Sequence, residues 1–238
     1  MAIELEMPRA RHGLKRKFYI AASGLMAAIA LVGFWPTYFG SLANLSVQKS
    51  AVIHFHAAVM VGWLALFVTQ VALAATGHVR SHRRLGQIGI GYGVLVILVG
   101  LTTTFYQFAG RIHDVGLEGS LDYPTWPLVD MILFAPFFAL AVAYRRRPEI
   151  HKRLMIVATT TLLVAAALRM GLPWPLMLAV WFSPILIGIA YDLVRQRLIH
   201  PVYLIGLAVL FVSSFRDALM DTDVWLGLTR WLGAFLVG

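Results

Sequence analysis

Long apolar runs alternate with short polar stretches along the whole chain. Seven runs are visible, near 18–39, 51–75, 85–109, 125–144, 153–172, 175–194 and 200–219. A hydrocarbon core ~30 Å thick takes about 20 residues of helix, and a helix is the element that satisfies every backbone polar group within its own segment. The pattern therefore predicts an all-α fold, an integral membrane bundle of seven transmembrane helices. The first run is too long, and ends too bulkily at Trp35, Pro36, Thr37 and Tyr38, to be a cleaved signal peptide with a small-residue exit. It reads as a retained helix. The chain then divides into a basic tail (1–17), the transmembrane domain (18–219) and a C-terminal segment (220–238). That last segment carries Trp225, Leu226, Leu228, Trp231, Leu232, Phe235 and Leu236. It is too short to span, so it is expected to lie amphipathically in the outer interface or to pack on a membrane-protein partner through Trp225 to Gly238.

Composition agrees with the pattern. Of the 238 residues 60% are hydrophobic and 13% charged, against roughly a quarter charged in an ordinary soluble domain. Charge adds an orientation. Fifteen of the twenty lysines and arginines fall on one set of alternate connections together with the N-terminal tail, and five on the other, where most acids also lie. The positive-inside rule then predicts a cytoplasmic N-terminus, an external C-terminus and a multi-pass protein of the bacterial inner (cytoplasmic) membrane. The net charge of +9 sits at helix ends, which points to membrane lipids with anionic headgroups as the counter-charge and not to nucleic acid. Arg83, Arg84, Lys152 and Arg153 are the candidate headgroup contacts. The chain has no cysteine, which excludes disulfides, iron–sulfur clusters and thiolate ligation.

Polar residues inside the runs mark candidate chemistry, because ionisable groups are expensive in hydrocarbon. Towards the outer end these are His54, His56, Asp130, Arg169 and Arg216. His54 and His56 are two residues apart and point about 200° away from each other on a helix, so an unbroken helix cannot aim both at one metal. Asp130 is expected to pair with Arg169 or Arg216, leaving a polar site suited to a proton path, an anionic group or a structural ion pair. Gly86, Gly89 and Gly93 in the third run suit close helix packing, or the approach of a flat cofactor. The last run, from His200 to Leu219, has no lysine, which removes an attachment point for a retinal Schiff base.

The basic turns repeat. His82-Arg83-Arg84-Leu85-Gly86 and His151-Lys152-Arg153-Leu154-Met155 each open an apolar run, and His200-Pro201 follows Tyr191-Asp192-Leu193 and an arginine pair at a third turn. His82, His151 and His200 are expected at one depth with Asp192 beside them. Neutral imidazoles with a carboxylate make a donor set for a transition metal. These motifs resemble those of a family of small uncharacterised bacterial polytopic membrane proteins over most of residues 51–232. More distantly the chain is similar to transmembrane b-type cytochromes, which implies haem b held by histidine pairs on neighbouring helices. Three functional readings follow. One is a histidine-site redox protein binding a metal or haem, the second a non-enzymatic accessory subunit of a larger membrane complex, and the third a small transporter.

Overall fold

The computed structural model describes residues 7–46 and 48–237. Every regular element among them is helical. Helix α1 (Met7–Phe34) continues through a π-turn (Trp35–Phe39) into a short helical turn (Gly40–Ala43). It is followed by α2 (Ala51–Ala75), α3 (Val79–Val115) and α4 (Thr125–Ala143). Helix α5 (Pro148–Leu162) breaks at Leu163 and resumes as Val164–Arg169. Then come α6 (Trp174–Gln196), α7 (Pro201–Ser213) and α8 (Asp223–Val237).

Six of these segments are long and apolar enough to cross a membrane. The seventh apolar run, expected to be a full span at 200–219, instead gives the thirteen-residue α7, about 20 Å at 1.5 Å per residue. A 3₁₀ turn (Arg216–Leu219) completes it. Residues 1–6 of the predicted basic tail lie outside the described residues, and helix begins at Met7 in register with the first apolar run. Helix α3 extends to Val115, which leaves residues 116–124 as the connection to α4.

The bundle is built around α5. In its membrane-length window 67% of the residues are buried, against 17–39% in the other five long helices. It packs on α1, α4, α6 and α7. Lipid tails are as apolar as leucine, so helices in a membrane associate through close packing and hydrogen bonds, and α5 supplies small side chains for both. Ala158, Thr159, Thr160, Ala166 and Ala167 are fully buried. Thr160 and Thr161 donate back to the carbonyls of Ile156 and Ala158, while the indole of Trp181 donates to the carbonyl of Thr160 and ties α6 to the centre. At the far half of α5, α1 comes so near that a β-carbon on Gly33 would overlap the carbonyl of Ala166.

The two ends of the bundle differ in charge. The turns at 76–78, 144–147 and 197–200 form a basic end, and the remaining connections with α8 form an acidic one. Helix α8 lies on the acidic end against α3. The indole of Trp225 donates to the Thr125 hydroxyl at 2.8 Å, and Arg230 makes a two-pronged pair with Glu118 at 2.8 Å. Its buried side is Thr229 and Gly233. The opposite side exposes Val224, Leu228, Trp231 and Phe235, an i, i+4, i+7, i+11 stripe.

Candidate functional site

The two full copies of the histidine motif occupy equivalent places in two hairpins. His82 sits one turn into α3, and its Nδ1 meets the carbonyl of Gln70 on α2 at 3.3 Å. His151 sits one turn into α5, and its Nδ1 meets the carbonyl of Ala141 on α4 at 2.7 Å. A carbonyl only accepts, so each Nδ1 carries a proton, and in the neutral ring each Nε2 is left with a lone pair. This arrangement, one ring nitrogen fixed by a main-chain oxygen and the other free, is the one that ligating histidines use.

Both rings line one cavity of about 960 Å³ at the basic end. Small-molecule and cofactor sites span roughly 300–1,000 Å³, so this chamber is near the top of that range. Its inner wall is apolar, with Trp63, Leu66, Phe67, Phe138, Met155 and Ile156. Trp63 packs edge-on against Phe134 and Phe138, which stack on each other. Gly86 and Gly89 also line the chamber, and the Gln70 amide lies over them, 3.3 Å from where a β-carbon on Gly86 would be. Gly93 serves packing instead, seated beneath the ring of Phe138. Helix α1 contributes Arg16, Tyr19 and Ser23 to the lining, a contribution the sequence reading missed, since nothing in the periodicity of an N-terminal helix says which neighbour it meets.

His200 and Asp192 are not part of this wall. Asp192 is fully buried and takes both prongs of Arg153, with Nε at 3.1 Å and a second nitrogen at 2.5 Å. It also accepts from the backbone N–H of His200 at 3.2 Å. The His200 ring turns back on its own helix and accepts from the backbone N–H of Val202 at 3.3 Å. Arg153, expected among the headgroup contacts, is instead wholly buried. It bonds Glu149 as well, at 2.8 Å, and lies 5.5 Å from the ring of Tyr203. A guanidinium one turn inside a helix leaves water when a buried carboxylate on the next helix can take it bidentately. Lys152 pairs with Glu149 at 2.6 Å and covers the ring of Tyr19 at 4.7 Å, whereas Arg83 and Arg84 are exposed. Among the described residues no group of three or more histidine, aspartate or glutamate side chains is placed to hold a metal ion. The expected quartet of His82, His151, His200 and Asp192 thus separates into a histidine pair at the cavity and a buried ion pair beside it.

The outer residues also separate. Asp130 is held by Arg216, whose guanidinium additionally donates to the carbonyls of Trp126 and Ser213 and lies 4.4 Å from the indole of Trp126. The Trp126 indole donates in turn to Asp217 at 2.7 Å. Arg169 does not join them. It donates to the carbonyl of Ala165 and stacks 4.7 Å over Phe34. His54 bonds the Tyr38 hydroxyl at 2.8 Å, while the Nδ1 of His56 is buried without a hydrogen-bond partner. The two rings part company as their i, i+2 spacing requires.

Comparison with protein-family models, with curated proteins and with solved structures returns no match. The structure makes the chain a polytopic helical membrane protein, and the functional reading rests on the cavity.

Proposed function

We propose that the protein is a b-type haem protein of the bacterial inner membrane, with seven passes and its basic end in the cytoplasm, in which His82 and His151 would hold the haem iron. One observation carries this reading: two histidines from different hairpins have Nδ1 fixed to a main-chain carbonyl and Nε2 free beside one large, mostly apolar cavity. A porphyrin brings four nitrogens of its own, so two protein ligands suffice where a bare metal ion would need three or four. The cavity fits a flat apolar macrocycle. Its wall is aromatic and aliphatic, and Gly86 and Gly89 let the Gln70 amide and Leu66 lie close against α3 along that wall. When bound, haem supplies one-electron transfer. The chain's own part is to fix the tautomer and ring direction of His82 and His151, and to keep water from the inner wall.

Purified protein titrated with haemin is expected to develop the Soret band of a histidine-ligated haem with saturation at one equivalent. His82→Ala and His151→Ala should each lose that spectrum. Unsaturable binding with the same spectrum in parent and variants would overturn the reading. A second reading, the accessory subunit, draws on the exposed apolar stripe of α8. Loss of a co-purifying membrane complex on substitution of Trp231 and Phe235 by serine would support it.

A further inference from the structure

We infer that the mouth of the cavity is a carboxylate-recognition site that admits the porphyrin with its propionates towards the basic end, held by Arg83 and Arg145 with Arg16, Arg146 and Lys152 around them. This rests on the haem reading of the same cavity. All five of these cations line the chamber, and every charged side chain in its lining is positive. The positive-inside rule accounts for cations at this end of the bundle, but it does not account for their enclosing a cavity.

The pairing pattern adds a second argument. At the acidic end three cations meet carboxylates, Arg111 with Asp122, Arg216 with Asp130 and Arg230 with Glu118, while Arg169 is taken up by the carbonyl of Ala165 and the ring of Phe34. At the mouth, Arg16, Arg83, Arg145 and Arg146 meet no carboxylate among the described residues. Arg145 uses one nitrogen on the carbonyl of Val142 at 3.1 Å, which anchors its stem at the rim and leaves the rest of its fork for a ligand. Glu149, in the first turn of α5, is engaged by Lys152 and Arg153. An apolar chamber capped by unpaired guanidinium groups calls for an amphiphile with an apolar body and a carboxylate end, since arginine holds carboxylates bidentately. Haem has that shape, with two carboxylates on one edge of an apolar disc.

The test uses three ligands on the full-length protein in detergent: haemin, iron-free protoporphyrin, and haemin dimethyl ester, in which both carboxylates are blocked. Tryptophan quenching reports binding of all three, because Trp63 lines the chamber. The Arg83→Gln/Arg145→Gln variant is expected to weaken haemin and protoporphyrin about tenfold or more, in keeping with the loss of charge-assisted bonds, and to leave the ester unchanged. His82→Ala/His151→Ala should lose the histidine-ligated spectrum yet still bind protoporphyrin. Equal affinity of parent and arginine variant for haemin overturns the inference while leaving the haem reading intact. If the parent shows no histidine-ligated spectrum, the haem reading fails by itself. Protoporphyrin affinity then decides the mouth: arginine dependence sustains the carboxylate site, and its absence removes it. Lys49→Gln/Arg111→Gln, which removes two cations far from the cavity, controls for net charge.

Discussion

His82 and His151 occupy the same position in two hairpins: each bonds through Nδ1 to a main-chain oxygen of the preceding helix, twelve residues back in one case and ten in the other. A ring fixed this way contributes one modest hydrogen bond to the fold, worth roughly 0.5–1.5 kcal/mol. Each single alanine variant is therefore expected to unfold within a few degrees of the parent in detergent. A collapse of the thermal transition in either variant would show that the imidazole is a structural strut.

The Arg153–Asp192 pair should behave in the opposite way. Removing one partner strands a buried charge, which costs about 3–5 kcal/mol, whereas replacing both with apolar residues of similar size is often nearly neutral. Arg153→Met and Asp192→Leu are each expected to be severely destabilising, and the double variant to recover much of the loss. Denaturant unfolding of the four proteins checks this. Additive losses would mean that the two groups do not depend on each other.

Glycines give a paired prediction. Gly33→Ala would place a methyl group into the carbonyl of Ala166 and should destabilise by about 1–3 kcal/mol as overpacking does. Gly24, on the same helix, has open space where its β-carbon would be. Gly24→Ala should therefore be neutral or gain up to roughly 1 kcal/mol in helix propensity. Relative melting temperatures of the two variants decide it.

Low pH should loosen α8. The hydrogen bond from Arg230 holds the carboxyl of Glu118 below its ordinary value. A depressed carboxylate contributes stability that is present above its unfolded pKa and is lost as pH falls through the folded one. Docking of α8 should thus be intact at neutral pH and weaken below about pH 4.5, the ordinary glutamate value. Both groups are exposed, so the effect should shrink with added salt. Hydrogen exchange across residues 223–237 as a function of pH reads this out. Glu118→Gln should remove the Glu118-dependent part, and an unchanged profile in that variant would count against the pair.

Sidedness can be read from single cysteines, because the chain has none of its own. An impermeant thiol reagent added to spheroplasts is expected to label Asp114→Cys and to spare Ser81→Cys until the membrane is permeabilised. The reverse pattern would place the cavity on the outer face.

Much of this architecture is readable in the residues. Apolar run length gives six of the helices, and the charge of Asp130 announces a pair with Arg169 or Arg216 because hydrocarbon leaves few other partners, while only the fold selects Arg216. The histidine repeat also marks real equivalence at His82 and His151. It misleads at His200, whose Pro201 starts a helix while its ring caps that helix, so the same residue type at the same turn has a different task. Arg153 reads as a headgroup residue because a basic run does not say which member faces inward. That is decided by Asp192, 39 residues later. The contribution of α1 to the cavity is likewise a matter of tertiary neighbours and not of local pattern.

The central position of α5 bears on how the protein is made. It is the least apolar of the six long helices and the most buried, with Glu149, Lys152 and Arg153 in its first turns. A segment of that kind partitions weakly into a bilayer by itself, and its buried guanidinium, which has only the half-exposed Glu149 on its own helix, gains a buried carboxylate when Asp192, near the end of α6, has left the ribosome. Membrane integration of α5 is thereby coupled to synthesis of the helix after it. A chain truncated before Asp192 would leave the exit channel with its central helix unsettled and exposed to quality-control proteolysis.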